Sequence, residues 1–497
     1  MDYDRLYIQL VGRYKKVLYF CGLLTPARSQ ADPGSGGGSA PCPTQSRYLD
    51  QVIDHSLHYS NHIFKHQYRV NTTFFKEGGP VLFYQSPEST TMACPDKLIL
   101  TEWAQELGGM TAVLEHRYFG QSLPFGNNSF TAKNLRYFTL ENVMADAVSF
   151  VNFVKANVTG ATHSKVIVVG GSYGGFLSAA FRQNHPDTFF GAWSVAGPFR
   201  AWGDADEVGA DGYNWFDYVE NIYARRSFDT FTAMKAAFAQ ASSWLDTGDS
   251  DMLQKSLSLC AAPSNAFADR DAFIIWYTSA YSQLAQRNHL PSSFYNVSGP
   301  TLDTVINDTL AASSPVAALN ETLWHAYGMV AQNGCLDYTA SMADSIGLGT
   351  VPFLWASCKW IPLNLEVNPA SIFGQGLTSG TINPSRNCAQ VFNTSQTTGA
   401  EVRSRFKLSR EDIANSTRIL FSEGEYDPVT AVAVPQTWLG DGVGTDMQKS
   451  VVVMINGIGH GQDVRPTELD PPSVVEARNV ELNIIKGWLN SNVSDAP

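Results

Sequence analysis

The chain has 497 residues, 44% hydrophobic and 16% charged, with a formal net charge of −12. That length allows two or three domains around a large core, and the hydrophobic share excludes a disordered chain. The acidic balance argues against a nucleic-acid partner, because phosphate binding needs a basic surface, and with no run of 18 apolar residues no stable membrane insertion is expected.

Near the amino terminus Arg13, Lys15 and Lys16 precede the apolar stretch Val17 to Leu24, with Ala27 and Ala31 beyond. This resembles the basic and apolar regions of a signal peptide, although the apolar part is short and starts late. Gly34 to Pro43 (GSGGGSAPCP) is a flexible connector, so residues 1–43 read as an amino-terminal extension. N-x-S/T sequons at Asn71, Asn127, Asn157, Asn296, Asn307, Asn320, Asn393, Asn415 and Asn492 point to a glycosylated route. The expected location is secreted or vacuolar-lysosomal. Cys21 would leave with a leader. Cys42, Cys94, Cys260, Cys335, Cys358 and Cys388 then remain for disulfides whose pairing is open.

Beyond the connector, Val81 to Tyr84, Thr111 to Leu114, Val166 to Val169 and Ala192 to Val195 read as buried strands. Helical patterns at about Leu98 to Leu107 and Leu140 to Val158 lie between them. Such alternation predicts right-handed crossovers and a mostly parallel sheet. After Ala201 the pattern changes. Phe216 to Leu259 and Asp271 to Arg287 have helical spacing, and polar, glycine-rich loops are expected from there through Ala400. Alternation resumes with Arg418 to Phe421 and Val451 to Ile455, and a last helix spans Pro472 to Leu489. The organisation predicted is an α/β domain in two parts, 44–200 and 415–497, interrupted by a mainly helical cap at 201–414.

The chemistry concentrates where the third strand ends, in Gly170-Gly-Ser172-Tyr-Gly174-Gly175. G-x-S-x-G between a strand and a helix is a sharp turn that exposes the serine hydroxyl, which makes Ser172 the expected nucleophile. Serine needs a base within reach and a carboxylate to orient that base. In α/β-hydrolases these follow as acid, then histidine, on loops after later strands. Asp427 follows Phe421-Ser-Glu-Gly-Glu-Tyr, and His460 follows Ile455-Asn-Gly-Ile-Gly, so the order is the expected one. Asp427 before Pro428 could equally open an ordinary turn, and Glu423, Glu425 and Asp463 compete as orienting acids. No histidine after His325 rivals His460. The backbone N–H of Tyr173 is the expected first oxyanion donor. The second should come from Gln85, Ser86 or a side chain elsewhere, since Pro87 has no N–H.

His55, His58, His62 and His66 have a spacing that a helix could turn into a metal site. Ile63, Phe64, Tyr68 and Val70 favour a strand there, and no ligand set completes the group, so no metal is assigned. His116 and Arg117 read as supports of the site. No cofactor is expected.

Gly78-Gly-Pro-Val-Leu-Phe-Tyr84, Glu115-His-Arg-Tyr-Phe-Gly-Gln-Ser-Leu-Pro124, Leu135-Arg-Tyr-Phe-Thr139, Asp54-His55 and the serine motif resemble one peptidase group. It contains lysosomal Pro-X carboxypeptidase, dipeptidyl peptidase II, thymus-specific serine protease and fungal prolyl endopeptidases. The resemblance runs from about Tyr48 to Phe199 and again from Ile419 to Leu489. It implies an α/β-hydrolase fold with a helical cap, a triad of Ser172, Asp427 and His460, and cleavage after proline, typically at acidic pH. Glu88 matches an acidic residue of the group and is carried over as substrate-binding. Val429 stands where the group usually has tryptophan, and Gln85 to Glu88 lacks its glycine. The leading expectation is a secreted serine peptidase acting on peptide or protein substrates, with exo or endo action undecided and a homodimer allowed for. An esterase or lipase, or a catalytically silent binding protein of the same fold, are the alternatives.

Overall fold

The computed structural model describes residues 41–491 apart from 57–61, 201–213, 289–299, 329–330, 332, 340–349, 363–364, 379–380, 383–387, 441–447 and 468. The leader-like stretch, Cys21, His58 and the sequons at Asn296 and Asn492 lie outside the described residues.

Eight strands form one sheet: β1 (Arg47–Val52), β2 (Ile63–Asn71), β3 (Val81–Gln85), β4 (Met110–Leu114), β5 (Val166–Gly171), β6 (Gly191–Val195), β9 (Ile419–Gly424) and β10 (Val451–Ile455). The short strands β7 (Leu365–Glu366) and β8 (Thr381–Ile382) make a separate antiparallel ladder. The sheet order is β1-β2-β4-β3-β5-β6-β9-β10. β1 with β2 and β2 with β4 are antiparallel, and every later pair is parallel. This is the α/β-hydrolase fold.

β3, β4 and β6 are buried along their whole length, which is why they read as continuous apolar runs. Successive side chains still alternate between two cores. Val81, Phe83, Val168 and Ala192 face helices α2 (Leu140–Asn157) and α3 (Tyr173–Asn184). Leu82, Tyr84, Val169 and Trp193 face α1 (Ile99–Leu107) and the last helix (Pro472–Asn490), where Trp103 stacks on Trp193 at 4.6 Å.

Between β6 and β9 the described chain adds no strand to the sheet. It forms α4 (Asn214–Arg226), α5 (Phe228–Thr247), α6 (Phe267–Gln286), α7 (Leu302–Ala311), α8 (Pro315–Tyr327) and α9 (Thr350–Lys359), with shorter turns between. The last three replace loops expected from the sequence. Their signals are local ones: Thr301 and Ser314 cap α7 and α8, Pro315 starts α8, and Leu302, Val305, Ile306 and Thr309 bury one face of α7.

The sheet opens with the antiparallel pair β1 and β2; the strand expected at Ile63 to Val70 is β2, whereas β1 has no clear signal because Gln51 turns inward and breaks its alternation. One boundary needs correction. Arg418 precedes β9 rather than starting it: its φ is +55°, and its guanidinium donates to the Phe190 carbonyl at 2.7 Å. The six cysteines pair as Cys42–Cys94, Cys260–Cys335 and Cys358–Cys388.

Candidate active site

β5 ends at Gly171, and Ser172 follows with φ +59° and ψ −126°, a conformation costly for a residue with a side chain. The surroundings impose it. Ser172 N–H donates to Val195 O at 2.8 Å, while Ser172 O accepts from Gly175 and Phe176 at 2.8 and 3.1 Å. A Cβ on Gly170 would lie 2.0 Å from Gly174 O, so glycine alone lets the turn close.

β9 and β10 run parallel, and both deliver their loops to the same sheet edge. Asp427, fully buried, uses each carboxylate oxygen once. Oδ1 accepts the Val429 N–H at 3.0 Å and opens the turn Pro428–Val432; Oδ2 meets His460 Nδ1 at 2.6 Å. One carboxylate thus both opens a turn and meets the imidazole. Glu425 is committed elsewhere, accepting Gly457 N–H at 2.9 Å. His460 Nε2 is buried and has no hydrogen-bond partner among the described residues. His460 and Ser172 line one small cavity of about 10 Å³, together with Gly171, Gly461, Val464 and Arg465.

The histidine loop is held from the helical side as well. His460 N–H donates to Gln286 O at 2.9 Å, at the end of α6, and Gly459 N–H donates to Asn288 O at 3.3 Å. A Cβ on Gly459 would sit 2.5 Å from Gln286 O. That glycine is there for the approach of α6, a reason not visible in the sequence.

With Nδ1–H pointing at a carboxylate, the neutral imidazole keeps its lone pair on Nε2, as acyl transfer through a serine requires. The profile of the serine carboxypeptidase S28 family matches residues 51–481. The chain belongs to that family. Lysosomal Pro-X carboxypeptidases of Homo sapiens and Pongo abelii are each 26% identical to it over 461 residues, covering 89% of this chain and 88% of theirs. A Caenorhabditis elegans protein named prolyl carboxy peptidase like protein 5 is 26% identical over 485 residues, covering 90% of each chain. The S28 chain is thus a serine-type peptidase. No described helix is long and apolar enough to cross a membrane.

In this S28 peptidase the loop after β3 lies against the elbow: a Cβ on Gly174 would stand 3.0 Å from Gln85 O and 3.6 Å from Pro87 Cβ. The Ser86 N–H is spent on Leu114 O at 3.0 Å, which removes it as oxyanion donor, whereas the buried Ser86 hydroxyl has no partner. The Tyr173 N–H opens α3 and has no carbonyl of its own helix to bond. Glu88 is buried, neither of its oxygens bonds another residue, and burial pushes its carboxyl up to about 8.

His116 braces the elbow through Tyr173, and Arg117 ties the adjoining segment to the chain after β1 and to α2. His116 Nδ1 lies 2.7 Å from Arg117 O and must carry the proton, so Nε2 accepts from the Tyr173 hydroxyl at 3.2 Å. Trp360, just past α9, donates to that same hydroxyl at 3.1 Å. Arg117 grips Asp146 with Nε at 2.5 Å and Nη2 at 2.7 Å, and also donates to Val52, Ile53 and Tyr137 carbonyls. Burial alone would raise Asp146, but Arg117 and His55 hold it at about 2.

Two of the early histidines converge rather than scatter: His55 lies 2.8 Å and His66 3.8 Å from the oxygens of Asp146. His66 also bonds Glu115 O at 2.6 Å, and His62 accepts Ile53 N–H through its carbonyl. Among the described residues one group has metal-like spacing, Cys42, Cys94 and Asp96, but its sulfurs are joined to each other.

Near Asp427, Glu423 is buried without a hydrogen-bond partner among the described residues. Burial, then Asp427 and Asp463, push its carboxyl well up. Asp463 is also raised by burial; it accepts from the Ser422 hydroxyl at 2.5 Å. Neither competitor meets the imidazole as Asp427 does. Sequence reasoning passed over Arg465, whose only signal is a cation five residues beyond the histidine in a glycine-rich loop.

Proposed function

We propose that this S28 peptidase cleaves peptides after proline through an acyl-enzyme on Ser172. His460 Nε2 takes the Ser172 hydroxyl proton as Oγ bonds the scissile carbonyl carbon. The Tyr173 N–H, with a second donor from the Gln85 to Glu88 loop, receives the negative oxygen. His460 then passes the proton to the leaving nitrogen and the C–N bond breaks. A water that gives its proton to His460 attacks the acyl carbon, and that proton returns to Ser172 as the acid departs. Asp427 stays ionised throughout and holds the imidazole tautomer.

The observation that carries this reading is the Asp427–His460 pair, with an unpartnered Nε2 on the cavity that Ser172 lines. Proline preference is supported by the names of the relatives, which are Pro-X or prolyl carboxypeptidases. Glu88 is read as a neutral acid on the acyl side of the pocket, close enough to Tyr173 to act on its hydroxyl. Residues 201–414 are read as a cap over the sheet edge, and residues 1–43 as a leader and linker. Secretion or delivery to a lysosome-like compartment fits the sequons and the three disulfides.

A fluorophosphonate probe should label the protein at Ser172, and Ser172→Ala should abolish both labelling and peptide hydrolysis. A peptide series varying the residue before the cut, run from pH 4 to 8, should favour proline. Turnover of simple acyl esters with no peptide cleavage would reject this reading.

A further inference from the structure

Acyl transfer through a serine needs two donors aimed at the negative oxygen. The proposed mechanism names one, the Tyr173 N–H, and leaves the other to the loop after β3. The sheet order puts β3 and β10 on opposite sides of β5, so that loop faces Ser172 from the side away from the strand that delivers His460. Its main chain packs on the first turn of α3. A Cβ on Gly174 would lie 3.0 Å from Gln85 O and 3.6 Å from Pro87 N. Ser86 is the residue between those two contacts.

Every main-chain N–H of this stretch is spent or missing. Gln85 is the last residue of β3, a strand paired on both sides, so its N–H belongs to the ladder. Ser86 N–H donates to Leu114 O at 3.0 Å, Pro87 has none, and Ser89 N–H donates to Pro87 O at 2.8 Å. The Glu88 N–H meets its own carboxyl. The Gln85 side-chain amide is used locally too, on Ser86 O at 3.0 Å. What remains beside the elbow is the Ser86 hydroxyl, buried and without a hydrogen-bond partner among the described residues. An orphan hydroxyl in such a place costs stability. A charge that forms there only during the reaction is a physical reason to keep it. The Glu88 carboxyl is a rival in the same loop, but it acts on the hydroxyls of Tyr84 and Tyr173.

We propose that the Ser86 hydroxyl is the second oxyanion donor, so that the hole pairs one main-chain N–H with one side-chain O–H. As Ser172 Oγ bonds the carbonyl carbon, the π electrons move onto the carbonyl oxygen. Ser86 donates to that oxygen and keeps its proton, and the contact weakens when the carbonyl re-forms and the leaving nitrogen departs. This rests on the proposed acyl-enzyme reading and names the donor which that reading leaves open.

The test compares wild type with Ser86→Ala on N-acetylated Ala-Pro-Phe and Ala-Ala-Phe. The inhibitors are the aldehydes acetyl-Ala-prolinal and acetyl-Ala-alaninal, each against its alcohol. An aldehyde adds to Ser172 and puts an oxygen into the hole, whereas the alcohol cannot. Ser86→Ala should lower kcat by about 100- to 1000-fold with KM within about threefold. It should weaken the aldehydes by at least about tenfold and leave the alcohols unchanged. Because the hydroxyl has no partner to lose, the thermal midpoint should hold or rise. Ser86→Cys, of similar shape with a weak donor, should fall between. Turnover of Ser86→Ala within tenfold of wild type, or aldehyde and alcohol affinities falling alike, would overturn the assignment. So would a Ser86→Ala protein that is less stable or fails to fold, since the hydroxyl would then serve the structure. Aldehyde affinity lost in Glu88→Ala but kept in Ser86→Ala would give the role to Glu88 instead. Failure of the underlying mechanism reads out separately, as activity persisting in Ser172→Ala and aldehydes no tighter than alcohols on wild type. The alanine pair keeps the test independent of proline preference.

Discussion

Replacing Asp427 with asparagine preserves shape and reverses one polarity, which makes it a sharp probe of the site. The side-chain oxygen that accepts Val429 N–H at 3.0 Å has a fixed donor opposite it. An asparagine must therefore keep its oxygen there and turn its NH2 group toward His460 Nδ1, now 2.6 Å from a carboxylate oxygen. Two donors cannot face each other, so Nδ1 gives up its hydrogen and Nε2 takes it. The base then has no lone pair for the Ser172 proton. The site is fully buried, and water cannot repair the mismatch. A wrong tautomer of this kind costs about 10⁴-fold in kcat, or about 5 kcal/mol of transition-state stabilisation. Peptide hydrolysis and the rate of fluorophosphonate labelling should fall together in Asp427→Asn, with the thermal midpoint little changed. Glu423→Gln is the control, because Glu423 is a neighbouring acid without contact to the imidazole in this arrangement; it should lose less than about tenfold. Activity of Asp427→Asn within tenfold of wild type, or a larger loss in Glu423→Gln, would refute the assignment of the orienting acid.

Gly170→Ala places a methyl 2.0 Å from Gly174 O. The elbow should fail to close, with probe labelling lost and stability down by about 3 kcal/mol on a denaturant curve; full labelling at unchanged stability would contradict it. Arg117→Met leaves Asp146 buried with its bidentate partner gone, and should cost about 4 kcal/mol, part of which Arg117→Met with Asp146→Leu should restore. A loss under 1 kcal/mol would show that the pair does not hold these segments together. Acid should suit the fold. Burial raises Glu88 to about 8 and Glu115 to about 7, so their contribution is complete below the ordinary carboxyl range and is lost as pH climbs through those values. His66 and His116, depressed by burial to about 4 and about 3, act oppositely, but their effect is complete above the ordinary histidine value near 6.5. Denaturant stability should therefore fall between pH 6.5 and 8.5, and Glu88→Gln should remove about 2 kcal/mol of that fall. A wild-type protein more stable at pH 8.5 than at 6.5 would exclude this.

Elements whose residues announce themselves locally were readable in the sequence. The parallel strands are uninterrupted apolar runs, and the serine sits between glycines at the end of one, so the fold class followed. What was hidden depends on contacts distant in sequence. Gln51 and His66 turn inward against Asp146 O and Glu115 O, and neither contact can be foreseen from a polar residue in a short strand. The choice among Glu423, Glu425, Asp427 and Asp463 turned on which oxygen faced His460, a matter of loop closure between β9 and β10. The helices α7 and α8 were legible in principle through their caps, but the polar residues around them outweighed that signal. Arg465 carried no motif at all; its place beside Tyr84 arises from the packing of a loop on a strand nearly 400 positions away.

The bond from His460 to the Gln286 carbonyl has a further consequence. His460 hangs between two parts of the chain, with its imidazole steered from the sheet and its peptide backbone moored to a helix more than 170 residues before it. Swapping that helical segment for one from another peptidase would not simply reshape the entrance to the cleft. It would also re-aim the imidazole proposed to carry the proton, so changes in selectivity and in turnover should arrive together in any such chimera.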